Sequence, residues 1–265
     1  MPSMDVEVTR AGAIATLWLN RPDKRNAVTI DMWRAMTDHC GELADDPAVR
    51  VLVVRGTGDH FCAGADIGAL GAVDDDALLI ANRAADDALT TFPKPTIAFI
   101  TGSCVGGGAE IAIACDIRIA DTTSRFGITP ARLGLLYPTF AIERAVRLLG
   151  ASAAKHLLYS AELVDAERAL RIGLVDEVHE PAAALARLDE FTEVLLGRSL
   201  LTQCGSKAMV DSVVEHGHVT DEIDRRWRAQ MARSADRVEG IAAFVERRQP
   251  QFSWGGTSDA AGSGG

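Results

Sequence analysis

The sequence predicts an α/β fold. Two observations carry this. Apolar, β-branched runs in the first half, such as "VRVLVVRG" (49–56) and "KPTIAFITG" (94–102), read as strands buried on both faces. Each is followed by a glycine-rich loop or a helical pattern, and this strand–helix alternation is that of a layered α/β core. At 48% hydrophobic residues, the 265-residue chain can build one sizeable core.

Taken in order, "VEVTR" and Ile14–Asn20 alternate with period two and predict two strands meeting at Ala11-Gly12. A loop, "RPDKRNAV", comes next. Thr29 is placed to cap a helix whose core positions include Met32, Trp33, Met36 and Leu43. After the buried strand 49–56, "TGDHFCAGADIGALG" is a glycine-rich loop, and Asp74–Thr91 carries a helical pattern through Leu78, Leu79, Ala85 and Leu89. Pro95 opens the next strand. "TGSCVGGGAEIAIACDIRIAD" (101–121) then predicts a loop, a helix from about Gly108 and the short strand "DIRIAD". Beyond Thr139 the pattern is helical over 139–149, 151–160, 165–171, 182–197, 200–216, 219–234 and 236–248, with one strand at Leu174–Val178. The division expected is a core of residues 1–198, a helical region of 199–252, and a flexible Gly/Ser/Ala-rich tail of 253–265.

The formal charge of −10 argues against nucleic acid as a partner, since phosphate backbones need a basic face. Five cysteines without a CxxC pair suggest free thiols in a reducing compartment. No apolar run approaches the roughly 20 residues of a membrane span. With no signal-peptide pattern at the N-terminus, the expectation is a cytoplasmic protein with no membrane partner. No metal-ligand cluster stands out, so no metal is expected.

Two loops draw attention. Gly106-Gly107-Gly108 precedes a helix, where the first N–H groups have no intrahelical partner and suit an anion or a developing oxyanion. "HFCAGADI" (60–67) offers a second set of free N–H groups at the carboxyl end of a buried strand, the edge where α/β proteins place ligands. Two such loops can supply two donors to one carbonyl oxygen. Glu110 follows the triple glycine by one turn and could be a catalytic acid or a dipole-favoured helix-start carboxylate. There is no GxxxxGK[ST], GxGxxG or GxSxG motif.

The segments "FCAGADI", "GSCVGGGAEIAIACDIRIA" and "FVERRQPQF", in this order, resemble the crotonase (enoyl-CoA hydratase/isomerase) superfamily, from about Val6 to Phe252. The resemblance implies a spiral of ββα units with C-terminal helices that assemble a homotrimer or a dimer of trimers. It implies an acyl-CoA substrate and no cofactor beyond the coenzyme A that the substrate carries. The Ala65 and Gly107 N–H groups would form the oxyanion hole. Lys24, Arg25, Ala27, Ala63, Asp66 and Ile67 would lie along the CoA, with Phe244 and Arg247 closing its site, in relatives often from a neighbouring subunit. Glu110 matches the first of the two glutamates that hydratases use on one water. The second would fall on Pro130 or Ala131 in "FGITPARLGLLYP", and neither side chain transfers a proton. Tyr137 stands nearby as a candidate catalytic group, in a "TPxxLGxxY" pattern similar to that of methylmalonyl-CoA decarboxylase-like members, which however carry a histidine where this chain has Ala65. Glu143 is expected on a solvated helix face, Asp116 in a structural role, and His60 as a loop residue. Hydration or isomerisation of an enoyl-CoA, decarboxylation of an acyl-CoA, and acyl-CoA binding with weak catalysis all remain open at this level.

Overall fold

The computed structural model describes residues 5–66, 68 and 75–256, the side chain of Asp75 excepted. Ile67 and residues 257–265 of the expected tail lie outside the described residues.

The elements are β1 (Val6–Ala11), β2 (Ile14–Leu19), α1 (Ile30–Asp45), β3 (Val51–Gly56), α2 (Asp75–Thr90), β4 (Thr96–Ile100), β5 (Ser103–Val105), α3 (Gly107–Ala114), β6 (Ile117–Asp121) and β7 (Arg125–Gly127). There follow α4 (Thr139–Ser160), β8 (Val164–Asp165), α5 (Ala166–Arg171), β9 (Glu177–His179), α6 (Pro181–Leu196), α7 (Leu200–His216), α8 (Asp221–Arg233) and α9 (Asp236–Glu246).

The main sheet has the order β1-β2-β3-β4-β6-β9. The β1–β2 hairpin is antiparallel, and β2 through β9 run parallel. The central strands β3 and β4 are buried almost throughout, which is why they read as unbroken apolar runs rather than alternating ones. A second sheet, β5-β7-β8, is built from pieces of two and three residues. These pieces are too short to show a period, and the sequence reading missed them. The Leu174–Val178 strand is also displaced. Leu174 and Val175 are buried ahead of the pairing, and the ladder with β6 starts only at Glu177.

The Thr29 side chain caps α1 by accepting from the Met32 N–H, as expected. The two helices expected at 139–149 and 151–160 are both present within α4, separated at Gly150 (φ 74°, ψ 161°), a conformation that only glycine takes without strain. One large core gathers α1, α2, α3 and the sheet, while Leu200, Leu201, Cys204 and Trp227 form a separate cluster between α7 and α8. All five cysteines are buried free thiols. Among the described residues, no helix is long and apolar enough to cross a membrane.

Candidate active site

The two glycine loops meet. Val28 pairs with Ala65, and Cys62 with Cys104, as isolated bridges that bring the loop after β3 against both "KRNAV" and β5. Helix α3 is pressed onto the same loop. A Cβ at Gly108 would stand 2.4 Å from the Cys62 carbonyl oxygen, so only glycine allows this approach. A Cβ on Gly107 would stand 3.4 Å from the Ala65 nitrogen. The backbone nitrogens of residues 65 and 107 are therefore close neighbours. Among the described residues neither N–H donates to another protein atom, whereas the flanking Gly64, Asp66 and Gly106 N–H groups all do. Two free donors side by side, at the start of a helix, are the arrangement an oxyanion requires.

These donors open onto a cavity of about 320 Å³. Trp33, Leu78, Leu79, Leu133, Leu135 and Leu136 make its apolar wall, and Asn82, Glu110, Thr129 and Tyr137 are its polar side chains. No basic side chain lines it among the described residues.

Glu110 projects from the first turn of α3 and is 3% exposed. Burial, reinforced by the negative charge of Asp86, pushes its carboxyl up from 4.5 to about 8, against smaller opposing effects of Asn82 and Arg144. The group is thus mostly a neutral acid at pH 7. Asn82 Nδ2 donates to Glu110 Oε2 at 3.5 Å, and Oε1 has no partner among the described residues. Behind Glu110, Arg144 of α4 pairs with the buried Asp86 at 2.6 Å and with Asp87 at 3.2 Å. Asn82, Asp86 and Arg144 were not among the sequence-derived candidates. The available signal was Asn82 itself, a polar residue in the apolar stripe Leu78, Ala85, Leu89.

Tyr137 lines the cavity, and its hydroxyl donates to the Gly106 carbonyl at 2.9 Å. Desolvation holds its phenol well above the ordinary range, so it stays protonated. The proton of this candidate catalytic group is thus engaged by a backbone carbonyl. Pro130 lines the wall at the place expected for the second glutamate. Glu110 is the only carboxyl among the described residues lining the cavity.

The expected CoA segment stands beside the loop. Lys24 and Arg25 are exposed, the Ala63 N–H donates to the Arg25 carbonyl at 2.9 Å, and the Asp66 N–H donates to the Val28 carbonyl. Arg21, unnoticed in the sequence, ties the segment to the loop by bonding both the Ala27 carbonyl and the Asp66 carboxylate. Phe244 and Arg247 do not line the cavity; Phe244 is 86% exposed at the end of α9. His60 accepts from the Ser103 N–H, Asp116 accepts from the Thr96 N–H and pairs with Lys207, and Glu143 is exposed, in keeping with their non-catalytic readings.

A neutral carboxylic acid and two free N–H donors that line one largely apolar cavity make a site suited to enolate chemistry. Comparison with known proteins specifies the class. Residues 9–255 match the family model described as enoyl-CoA hydratase/isomerase. The chain is 34% identical over 249 residues to the crotonyl-CoA hydratase of Syntrophomonas wolfei, covering 90% of this chain and 94% of that one. It is 32% identical over 256 residues to the (E)-benzylidenesuccinyl-CoA hydratase of Thauera aromatica, covering 94% and 99%. A crystal structure of an enoyl-CoA hydratase/carnitine racemase from Magnetospirillum magneticum superposes with a TM-score of 0.90 at 32% identity, covering 95% of this chain and 96% of that chain. The chain belongs to the enoyl-CoA hydratase/isomerase family, and its fold is the crotonase fold.

Proposed function

We propose that this enzyme adds water to a 2-enoyl-CoA with an apolar acyl chain, using Glu110 as its single acid–base group. The observation that carries this reading is the neutral, buried Glu110 carboxyl beside the unpaired Ala65 and Gly107 N–H groups. The thioester oxygen sits between these donors and takes up negative charge as water attacks Cβ. The protonated oxygen of Glu110 gives its proton to Cα. The other carboxyl oxygen accepts a proton from the attacking water, so the carboxyl ends as it began. Asn82 donates to Oε2, which assigns the proton to Oε1. Neither cofactor nor metal enters this scheme, and coenzyme A comes only with the substrate. The CoA lies along Lys24, Arg25, Ala27, Ala63 and Asp66, with Phe244 and Arg247 reaching it from a neighbouring subunit of a trimer.

The apolar wall supports an uncharged acyl chain, since a second carboxylate would find no cation among the described residues there. That weighs against decarboxylation of methylmalonyl-CoA, as does the engaged Tyr137 hydroxyl. The lone carboxyl also favours a second reading, a proton shuttle that converts a 3-enoyl-CoA into its 2-enoyl isomer. Crotonyl-CoA and a 3-enoyl-CoA, assayed separately, discriminate the two. Loss of the conjugated-thioester absorbance of crotonyl-CoA supports hydration. Turnover of the 3-enoyl substrate alone replaces hydration by isomerisation.

A further inference from the structure

The Gly106 carbonyl and the Gly107 N–H belong to one planar peptide and point in opposite directions. Gly107 lines the cavity, and its N–H has no acceptor among the described residues. The carbonyl side carries two donors: the Glu110 N–H at 3.0 Å and the Tyr137 hydroxyl at 2.9 Å. Gly106 takes φ 54° and ψ −116°, so the backbone torsions before this peptide are ones a side chain would forbid, and the peptide plane depends on its hydrogen bonds for its aim.

We propose that Tyr137 is a positioning residue of the oxyanion hole: by hydrogen-bonding the Gly106 oxygen, it fixes and polarises the peptide whose Gly107 N–H receives the thioester oxygen. This rests on the oxyanion-hole reading above and goes beyond it. As negative charge grows on the thioester oxygen, the Gly107 N–H is pulled toward it and electron density moves onto the Gly106 oxygen. A hydroxyl donating at that oxygen stabilises the displaced charge, because hydrogen bonds in series strengthen one another in a dry site. Both groups are buried here: Tyr137 is 7% exposed and Glu110 3%. The Glu110 N–H bond is part of the ordinary helical ladder of α3, whereas the Tyr137 hydroxyl reaches the same oxygen from 31 residues away in sequence. Tyr137 also precedes Pro138 and α4, so the segment that shapes the acyl wall and the peptide that binds the thioester oxygen are tied together.

The test is the infrared carbonyl stretch of butyryl-CoA, labelled with ¹³C at the thioester carbon, bound to the wild type and to Tyr137→Phe. In the wild type the stretch should move to lower frequency than in water. In the Phe variant a substantial part of that displacement should be lost at saturating ligand. With crotonyl-CoA the same variant should lose roughly tenfold in kcat with KM within about threefold, a fraction of what losing a whole oxyanion donor costs. A second perturbation acts in the opposite direction. The chain has two tyrosines, and the other, Tyr159, is 75% exposed. Replacing both with 3-fluorotyrosine makes the phenol a stronger donor and should move the bound carbonyl further down in frequency. An equal displacement in the wild type, the Phe variant and the fluorinated protein overturns the proposal and leaves the oxyanion hole standing. No displacement in the wild type overturns the hole itself, and the proposal with it.

Discussion

Replacing Glu110 with glutamine should stabilise the fold while removing activity. Glutamine has nearly the same shape, remains neutral and can still accept from Asn82. The wild-type carboxyl, 3% exposed, is raised from 4.5 to about 8. A group raised in this way destabilises the fold progressively as pH climbs from its unfolded value, because the unfolded chain ionises freely and the folded one does not. Each pH unit in that window costs about 1.4 kcal/mol, so at pH 7 the wild type should lie about 3 kcal/mol below Glu110→Gln. Below the unfolded pKa both proteins are neutral at this site and the gap closes; above the folded pKa of about 8 it stops growing. For a chain of this size, that corresponds to a melting temperature higher by roughly 6–12 °C at neutral pH. Thermal melts of both proteins at equal concentration, without acyl-CoA, near pH 5 and near pH 7 read the difference directly. Equal stability at neutral pH, or a gap of the same size at both values, would refute the argument that burial keeps Glu110 neutral.

Three further outcomes follow from the same geometry. Gly107→Val places a Cβ 3.2 Å from the Trp33 ring and 3.4 Å from the Ala65 nitrogen, filling the space of the thioester oxygen; kcat/KM for crotonyl-CoA should drop by about 10²–10³-fold with the far-ultraviolet circular dichroism unchanged. Asp86→Asn removes the negative charge that helps raise Glu110, so the upper midpoint of the kcat/KM profile should move to lower pH, and a shift upward or no shift speaks against that coupling. Since no metal enters the scheme, dialysis against EDTA should leave the rate unaltered, and clear inhibition would contradict it.

The parts of the site that announce themselves in the sequence do so through backbone constraints. Gly108 must be glycine for α3 to touch the Cys62 loop and Gly106 takes a positive φ, so the glycine run is visible in the sequence, and the family resemblance then places Gly107 and Glu110. The missing second carboxylate, at Pro130 or Ala131, is visible only against the family pattern. The polar support behind Glu110 is different. Asp86 and Arg144 lie 58 residues apart, and each resembles a solvated helix position until α2 and α4 are packed together. The partner of the Tyr137 hydroxyl is a backbone carbonyl, and no residue type marks a carbonyl as an acceptor. The second sheet was missed for a related reason: β5, β7 and β8 are held by neighbours in space, with too few residues to show a pattern.

The central claim is that a neutral Glu110 carboxyl performs the proton transfers of acyl-CoA hydration. The most direct measurement is kcat/KM for crotonyl-CoA as a function of pH, for the wild type and Glu110→Gln together. The wild-type value should be level at neutral pH and fall as pH rises through about 8, where the acid is lost. The glutamine variant should be slower by about 10²–10⁴-fold at neutral pH and should lack the fall through about pH 8. A rate that survives the substitution, or one that rises rather than falls through that pH, would contradict the account.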